Sequence, residues 1–186
     1  MGRGDRHLLT VGHGTQSREQ LAALLLGAGI EALVDVRTAP GSRRHPQFNG
    51  KEMERWVPEV GTSYRWEPKL GGFRRTVPGS PHVALHHPSF RGYADYMMTE
   101  EFTQALRQLL EEAEKQVTVV MCAETLWWRC HRRLIADAAT LIFGWSVVHL
   151  GAGGKEEVHR VTEGARLDGR GRHIIYDAQT VMTVEV

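Results

Sequence analysis

Several things are scarce in this 186-residue sequence, and each scarcity excludes something. There are two cysteines, Cys122 and Cys130, too few for the disulfide framework of a small secreted domain. No apolar run approaches the roughly 20 residues that a bilayer span requires, and no apolar stretch follows the charged and small residues Met1 to His7 as a secretory leader would need. The expectation is a cytoplasmic chain with no membrane contact. Charge of one sign is not in excess: 23 Lys and Arg face 22 Asp and Glu, so the whole-molecule balance points to neither nucleic acid nor lipid surface. Only four of the cations are lysine, and Asn49 is the single asparagine. No internal repeat or low-complexity tract is present.

What is present is an ordinary globular composition, 41% hydrophobic and 24% charged, in a chain long enough to bury one core without staples. Short apolar runs alternate with amphipathic stretches, the pattern of strands joined by crossover helices. Strands are expected at residues 7–11, 32–37, 62–66, 117–121 and 147–150. Ser17 with Gln20 reads as a capping box opening a helix that Gly29 ends. Further helices are expected at 52–60, from the Thr99 cap to Lys115, and from Arg129 to Phe143. The fold class is a Rossmann-like three-layer α/β/α sandwich with a mostly parallel sheet of about five strands, forming a single domain over residues 1–164. Two stretches stand apart. Residues 67–92, rich in proline and glycine, read as a long loop and a candidate lid. The irregular C-terminal tail, 165–186, reads as an extension that is an edge strand, a swapped arm or a frayed end.

In open parallel sheets, ligands bind beyond the carboxyl ends of the strands, and the unusual residues fall there. The first strand ends in Gly12-His13-Gly14-Thr15, a turn suited to an anion before a helix N-terminus, although it has neither the spacing nor the lysine of a phosphate-binding loop. The second places Asp35 and Arg37 on one face, an ion pair or a catalytic carboxylate with its partner, followed by Arg43 and Arg44. The third leads to Gly71 and Gly72. The fourth ends at Cys122, with Glu124, Arg129, Cys130, His131 and Arg132 close behind. From Arg37 to Arg75, nine Lys and Arg stand against four Glu, interleaved with Phe48, Trp56, Tyr64, Trp66 and Phe73. Such a surface combines phosphate contact with base stacking.

Cys122 admits three readings. Guanidinium charge and a helix N-terminus would favour its thiolate and make it a nucleophile or redox thiol. Cys122, Cys130 and His131 would supply three ligands of zinc or another divalent metal, with His13 or Glu124 as the fourth. Or it packs as a small hydrophobe. Arg129 lies seven residues after Cys122, which excludes a C-x5-R phosphatase loop.

The blocks VGHGT, LVDVR with PGSRRHPQF, LGG, FRGYADYM, and MCAE with WRCHRR resemble, over about residues 7–164, the bacterial and archaeal family called domain of unknown function 488. That resemblance implies a small α/β domain whose signature positions include Gly12, His13, Asp35, Arg37, Arg44, Phe48, Gly71, Gly72, Arg91, Gly92, Tyr93, Cys122, Glu124, Arg129, Cys130, His131 and Arg132. Gly14 stands where serine is more usual. It implies no activity.

The functional expectation is an enzyme or binding domain for an anionic, phosphate-containing ligand, a nucleotide or nucleic acid. Cys122, His131, His13, Asp35 and Glu124 are the catalytic candidates. Gly12, Gly14, Thr15, Arg37, Arg43, Arg44, Gly71, Gly72, Arg91, Tyr93, Arg129 and Arg132 are the binding candidates. The alternatives are a non-catalytic nucleic-acid binding module and a metal-binding Cys/Cys/His domain; a homodimer is compatible with any of them.

Overall fold

The run Thr118–Cys122 is apolar on both faces and lies at the centre of the sheet, as a parallel strand covered from two sides must. In the computed structural model, which describes residues 6–177, it is β4 of a six-stranded sheet. The others are β1 (His7–Gly12), β2 (Ala32–Asp35), β3 (Ser63–Trp66), β5 (Ser146–Leu150) and β6 (Glu156–Val158). Their order is β3-β2-β4-β1-β5-β6, with the first five parallel and β6 antiparallel at the edge. The expected α/β architecture is present, with one strand more than expected.

Two-residue periodicity sorts the strand side chains onto two faces. Val11, Leu33, Val119 and Met121 pack under α1 (Arg18–Gly27) and α2 (Gly50–Trp56). Leu8, Val34, Val120 and Cys122 pack under α3 (Pro88–Met97), α4 (Glu100–Ala113) and α5 (Arg132–Leu141). The Ser17 capping box forms as read, with Gln20 N–H donating to Ser17 Oγ and Ser17 N–H to Gln20 Oε1.

Three expectations change. The loop 67–92 does not run unbroken into the helix at Thr99, because Pro88 opens α3 at the position where a missing N–H costs nothing; Arg91 and Tyr93 are therefore helical. The helix expected over 52–60 is divided at Val57, since Pro58 cannot extend it and starts a separate 3-10 turn. The helix expected from Arg129 begins at Arg132. Ahead of it come a 3-10 turn over Trp127–Arg129 and an extended Cys130 (φ −120°, ψ 150°), so Cys130 precedes the helix.

Residues 165–177 are not an edge of the main sheet. β7 (Ala165–Leu167) and β8 (Ile174–Tyr176) form a hairpin, and Ile174 and Tyr176 enter the core beside α3 and α5. The rest of the expected tail lies outside the described residues. No helix among the described residues is long and apolar enough to cross a membrane.

Candidate functional site

β1 and β4 are neighbours, with Gly12 opposite Cys122, yet the chain leaves β1 for α1 on one face and β4 for α5 on the other. In doubly wound sheets such a divergence is the switch point beside which ligands bind. Here the two loops close on each other: His13 N–H donates to the Cys122 carbonyl and Gly14 N–H to that of Ala123, both at 3.0 Å. The glycines make this approach possible. A Cβ on Gly12 would sit 1.9 Å from the Glu124 carbonyl oxygen and 2.6 Å from Arg132 Nη1, and one on Gly14, at φ +50°, would sit 2.1 Å from Thr125 Oγ1. Their task is loop packing. At the α1 N-terminus, before which the anion site was expected at Gly12–Thr15, the capping box engages the Gln20 N–H.

The sheet divides the expected constellation into two groups. On the α1/α2 side, Asp35 is fully buried and accepts from Arg37 Nε (2.9 Å), Arg37 Nη2 (2.5 Å), the Arg37 backbone N–H (3.0 Å) and the Tyr64 hydroxyl (2.8 Å). Arg37 also donates to the Phe48 carbonyl at 2.7 Å and to His13 Nε2 at 3.3 Å. Because Arg37 can only donate, His13 accepts at Nε2 and donates from Nδ1 to the Gly14 carbonyl. Its ring stacks on Phe48 at 4.3 Å. Burial, and then the Arg37 charge, push its pKa down to about 4. The imidazole is therefore neutral with both nitrogens engaged. The ion pair read for Asp35 and Arg37 is formed, and it shapes the loop after β2. Asn49 closes that loop through Ser42 N–H at 2.5 Å, leaving Arg43 and Arg44 exposed.

On the α3–α5 side lies Cys122, with Arg132 Nη1 3.2 Å from its sulfur. Arg132 is 1% exposed; its Nη2 donates to the Thr125 carbonyl at 2.9 Å, its Nε has no partner, and no carboxylate pairs with it among the described residues. A buried guanidinium needs a counter-charge, and the Cys122 sulfur is the group in place to carry it. Burial pushes that thiol up, but a hydrogen bond from Cys130, the Arg132 charge and the Glu124 backbone outweigh it and bring the pKa down to about 7. Burial and the neighbouring Cys122 hold the Cys130 thiol well above its ordinary range. Cys130 Sγ lies 3.7 Å from Nδ1 of His131, whose Nε2 donates to the Val36 carbonyl at 3.0 Å. Burial lowers the His131 pKa to about 4.

The remaining candidates border the second cluster or lie outside both. Gly71 and Gly72 let the post-β3 loop close on Thr38 and on the His131 ring, where Thr38 Oγ1 donates to the Gly72 carbonyl at 2.8 Å. Tyr93, expected to touch ligand, is buried and donates to the Leu70 carbonyl at 2.8 Å; Arg91 donates to the Leu85 carbonyl. Both fasten the loop. Thr15, Glu124 and Arg129 are exposed. Glu124 meets the site through its main chain. No three His, Cys, Asp or Glu side chains gather as a metal requires among the described residues. The expected Cys122–Cys130–His131 metal set is accordingly not assembled: Arg132 lies against the Cys122 sulfur, and the Nε2 of His131 is bonded to main chain.

Of the five interleaved aromatics, Phe48 and Trp56 are core, Tyr64 is half-buried, and Trp66 (45%) and Phe73 (88%) are exposed. Phe73 holds φ +56°, a left-handed conformation that strains a side-chain-bearing residue.

Sequence reasoning missed a second polar network. The Thr10 hydroxyl donates to His149 Nδ1 (2.6 Å), His149 Nε2 to His159 Nδ1 (3.0 Å), and His159 Nε2 to Asp137 (2.9 Å). Asp137 also accepts from Thr162 N–H and the Tyr176 hydroxyl. The only sequence signal was polarity at Thr10 and His149 within otherwise apolar strands.

The family model described as Domain of unknown function DUF488 matches residues 17–139, about two thirds of the chain. The chain belongs to this family. No curated protein and no solved structure matches it. The DUF488 match includes Asp35, Arg37, Cys122, Cys130, His131 and Arg132, and it leaves out β1, with His13, and β5.

Proposed function

We propose that this DUF488 domain is a cysteine-dependent enzyme acting on an anionic, phosphate-containing ligand, with Cys122 as its reactive thiolate and the reducing cytoplasm as its setting. The observation that carries this reading is the buried Arg132 guanidinium, whose available counter-charge is the Cys122 sulfur. The Arg132 charge helps hold this thiol below its ordinary range, toward the thiolate.

Charge conservation in the buried site links the thiolate to an anion. When Cys122 Sγ gives its electron pair to an electrophile, the bond to the leaving group breaks and that group departs with its own pair. The sulfur is then neutral, and Arg132 faces the site without its counter-charge. A phosphate on the substrate restores the balance. Cys130, whose own ionisation the neighbouring Cys122 opposes, is the second thiol of the site. His13 is outside this reading, being neutral and engaged on the other side of the sheet.

The test is a pH titration of thiolate ultraviolet absorbance, made on a Cys130→Ser background so that one thiol is read. Loss of the Cys130 hydrogen bond raises the inflection somewhat above that of the intact pair, but Arg132 keeps it below the ordinary cysteine value of about 8.5. Arg132→Gln on the same background moves it above that value. An inflection at or above 8.5 with Arg132 present, or one that Arg132→Gln leaves unmoved, overturns the proposal. A second reading, a non-catalytic nucleic-acid module, draws on the exposed Trp66 and Phe73 and the exposed Arg43, Arg44 and Arg75. It requires oligonucleotide binding that weakens steeply with salt.

A further inference from the structure

A groove of about 1020 Å³ runs between the start of α3, the turn before α5 and the segment leading into β7. Its lining includes none of Cys122, Cys130, His131 and Arg132. Rings and cations face it together: Phe90, Trp127 and Trp128, with Arg133 and Arg160. The two indoles stand at 89° to each other, and Trp128 is 45% exposed. Arg133 lies 4.7 Å over the Phe90 ring. Neither Arg133 nor Arg160 is paired with a carboxylate among the described residues, whereas Arg166 is bonded to Asp177.

Three polar atoms on these walls are out of solvent and without a hydrogen-bond partner: Trp127 Nε1, Arg133 Nε and Thr162 Oγ1. Native structures leave few such atoms. Two are obligate donors and the third is a hydroxyl that donates equally well, so a small turn of these side chains into the groove would present donors to an acceptor-rich ligand. The groove is also held in shape before anything binds. Trp127 stacks on His149 at 4.2 Å and 9°, and Thr162 N–H is fixed on Asp137, so the buried Thr10–His149–His159–Asp137 chain backs the groove. Such preorganisation lowers the ordering cost of binding.

We infer that this groove is a binding site for a nucleoside monophosphate: a planar ring among Phe90, Trp127 and Trp128, and a phosphate toward Arg133, Arg160 and Thr162. The groove is close to the size of known small-molecule sites, roughly 300–1,000 Å³. Stacking supplies affinity without choosing a base, and the guanidiniums supply the preference for phosphate. The site goes beyond the Cys122 reading and stands without it.

The test is titration of the intact protein with adenosine and cytidine monophosphates, followed by tryptophan fluorescence and calorimetry, with adenosine and inorganic phosphate as separate arms. Saturable binding of the monophosphates at least about tenfold tighter than either arm is expected. Stacking and charge each contribute enough that Trp128→Ala or Arg160→Ala weakens binding about tenfold or more. Both residues are exposed, and circular dichroism establishes that the variants fold. Cys122→Ser, shown by circular dichroism to be folded, leaves binding unchanged, which separates this groove from the thiol site. No saturable monophosphate binding, binding unaffected by both groove variants, binding lost in Cys122→Ser, or binding of oligonucleotides without mononucleotides overturns the assignment.

Discussion

Lowering the pH from 7 toward 5 is expected to unfold this protein through three histidines that burial keeps neutral. His13 and His131 have their pKa values pushed down to about 4, and His149 to about 3, in each case first by desolvation. Arg37 adds to the effect at His13, Arg132 and Arg74 at His131, and His159 and Arg132 at His149. The unfolded chain takes up these protons below about pH 6.5, whereas the folded chain refuses them until pH 4 or lower. More protons on the unfolded state means that stability rises with pH, so between 6.5 and 4 it falls as acid is added. Each group contributes about 1.4 kcal/mol per pH unit in that window, and the three together about 4 kcal/mol per unit. Against a total of about 5–15 kcal/mol for a domain, the fold is lost within a few units of neutrality. His82, lowered by burial, acts in the same direction. Urea unfolding followed by tryptophan fluorescence at several pH values gives the slope, and the slope gives the protons taken up. About three are expected, and His149→Gln removes one. A slope of less than one proton over this window refutes the reasoning, as does direct titration of the three rings near 6.5.

Two further substitutions test the architecture. Gly12→Ala drives a methyl into the Glu124 carbonyl and toward Arg132 Nη1; a loss of about 3 kcal/mol is expected, read by thermal melting, with a rise in the Cys122 thiolate inflection as Arg132 is displaced. Asp35→Asn leaves the buried Arg37 guanidinium uncompensated, so chemical denaturation should register a loss of about 3–5 kcal/mol.

The parallel layout was legible because periodicity is local: the runs at β1, β2, β4 and β5 announce themselves, and their carboxyl ends collect the reactive residues without any knowledge of strand order. α3 was not, because Pro88 and Gly92 read as loop signals. Gly92 is needed there because a Cβ would meet the Arg74 carbonyl oxygen at 2.3 Å, a tertiary demand that propensity does not encode. The site was half legible. Sequence spacing brought Cys122, Cys130, His131 and Arg132 together but did not assign the faces, so His13 and Asp35 were counted with a thiol from which the sheet divides them. The role of Arg132 as a buried counter-charge depends on the absence of a carboxylate beside it among the described residues, and that is visible only in three dimensions. The chain from Thr10 to Asp137 joins residues more than a hundred positions apart and had no pattern to find.

Asp137 marks a place where the family match stops and the folding unit does not. It lies just inside the stretch that the family model matches, yet its partners His159, Thr162 and Tyr176 all lie beyond it, as does β5, which pairs with β1. Excised at residue 139, the matched segment would carry a naked carboxylate in its interior and an open seam along its central sheet. What the family model recognises here is a signature held within a larger cooperative body, and the later residues, which that model does not match, complete it.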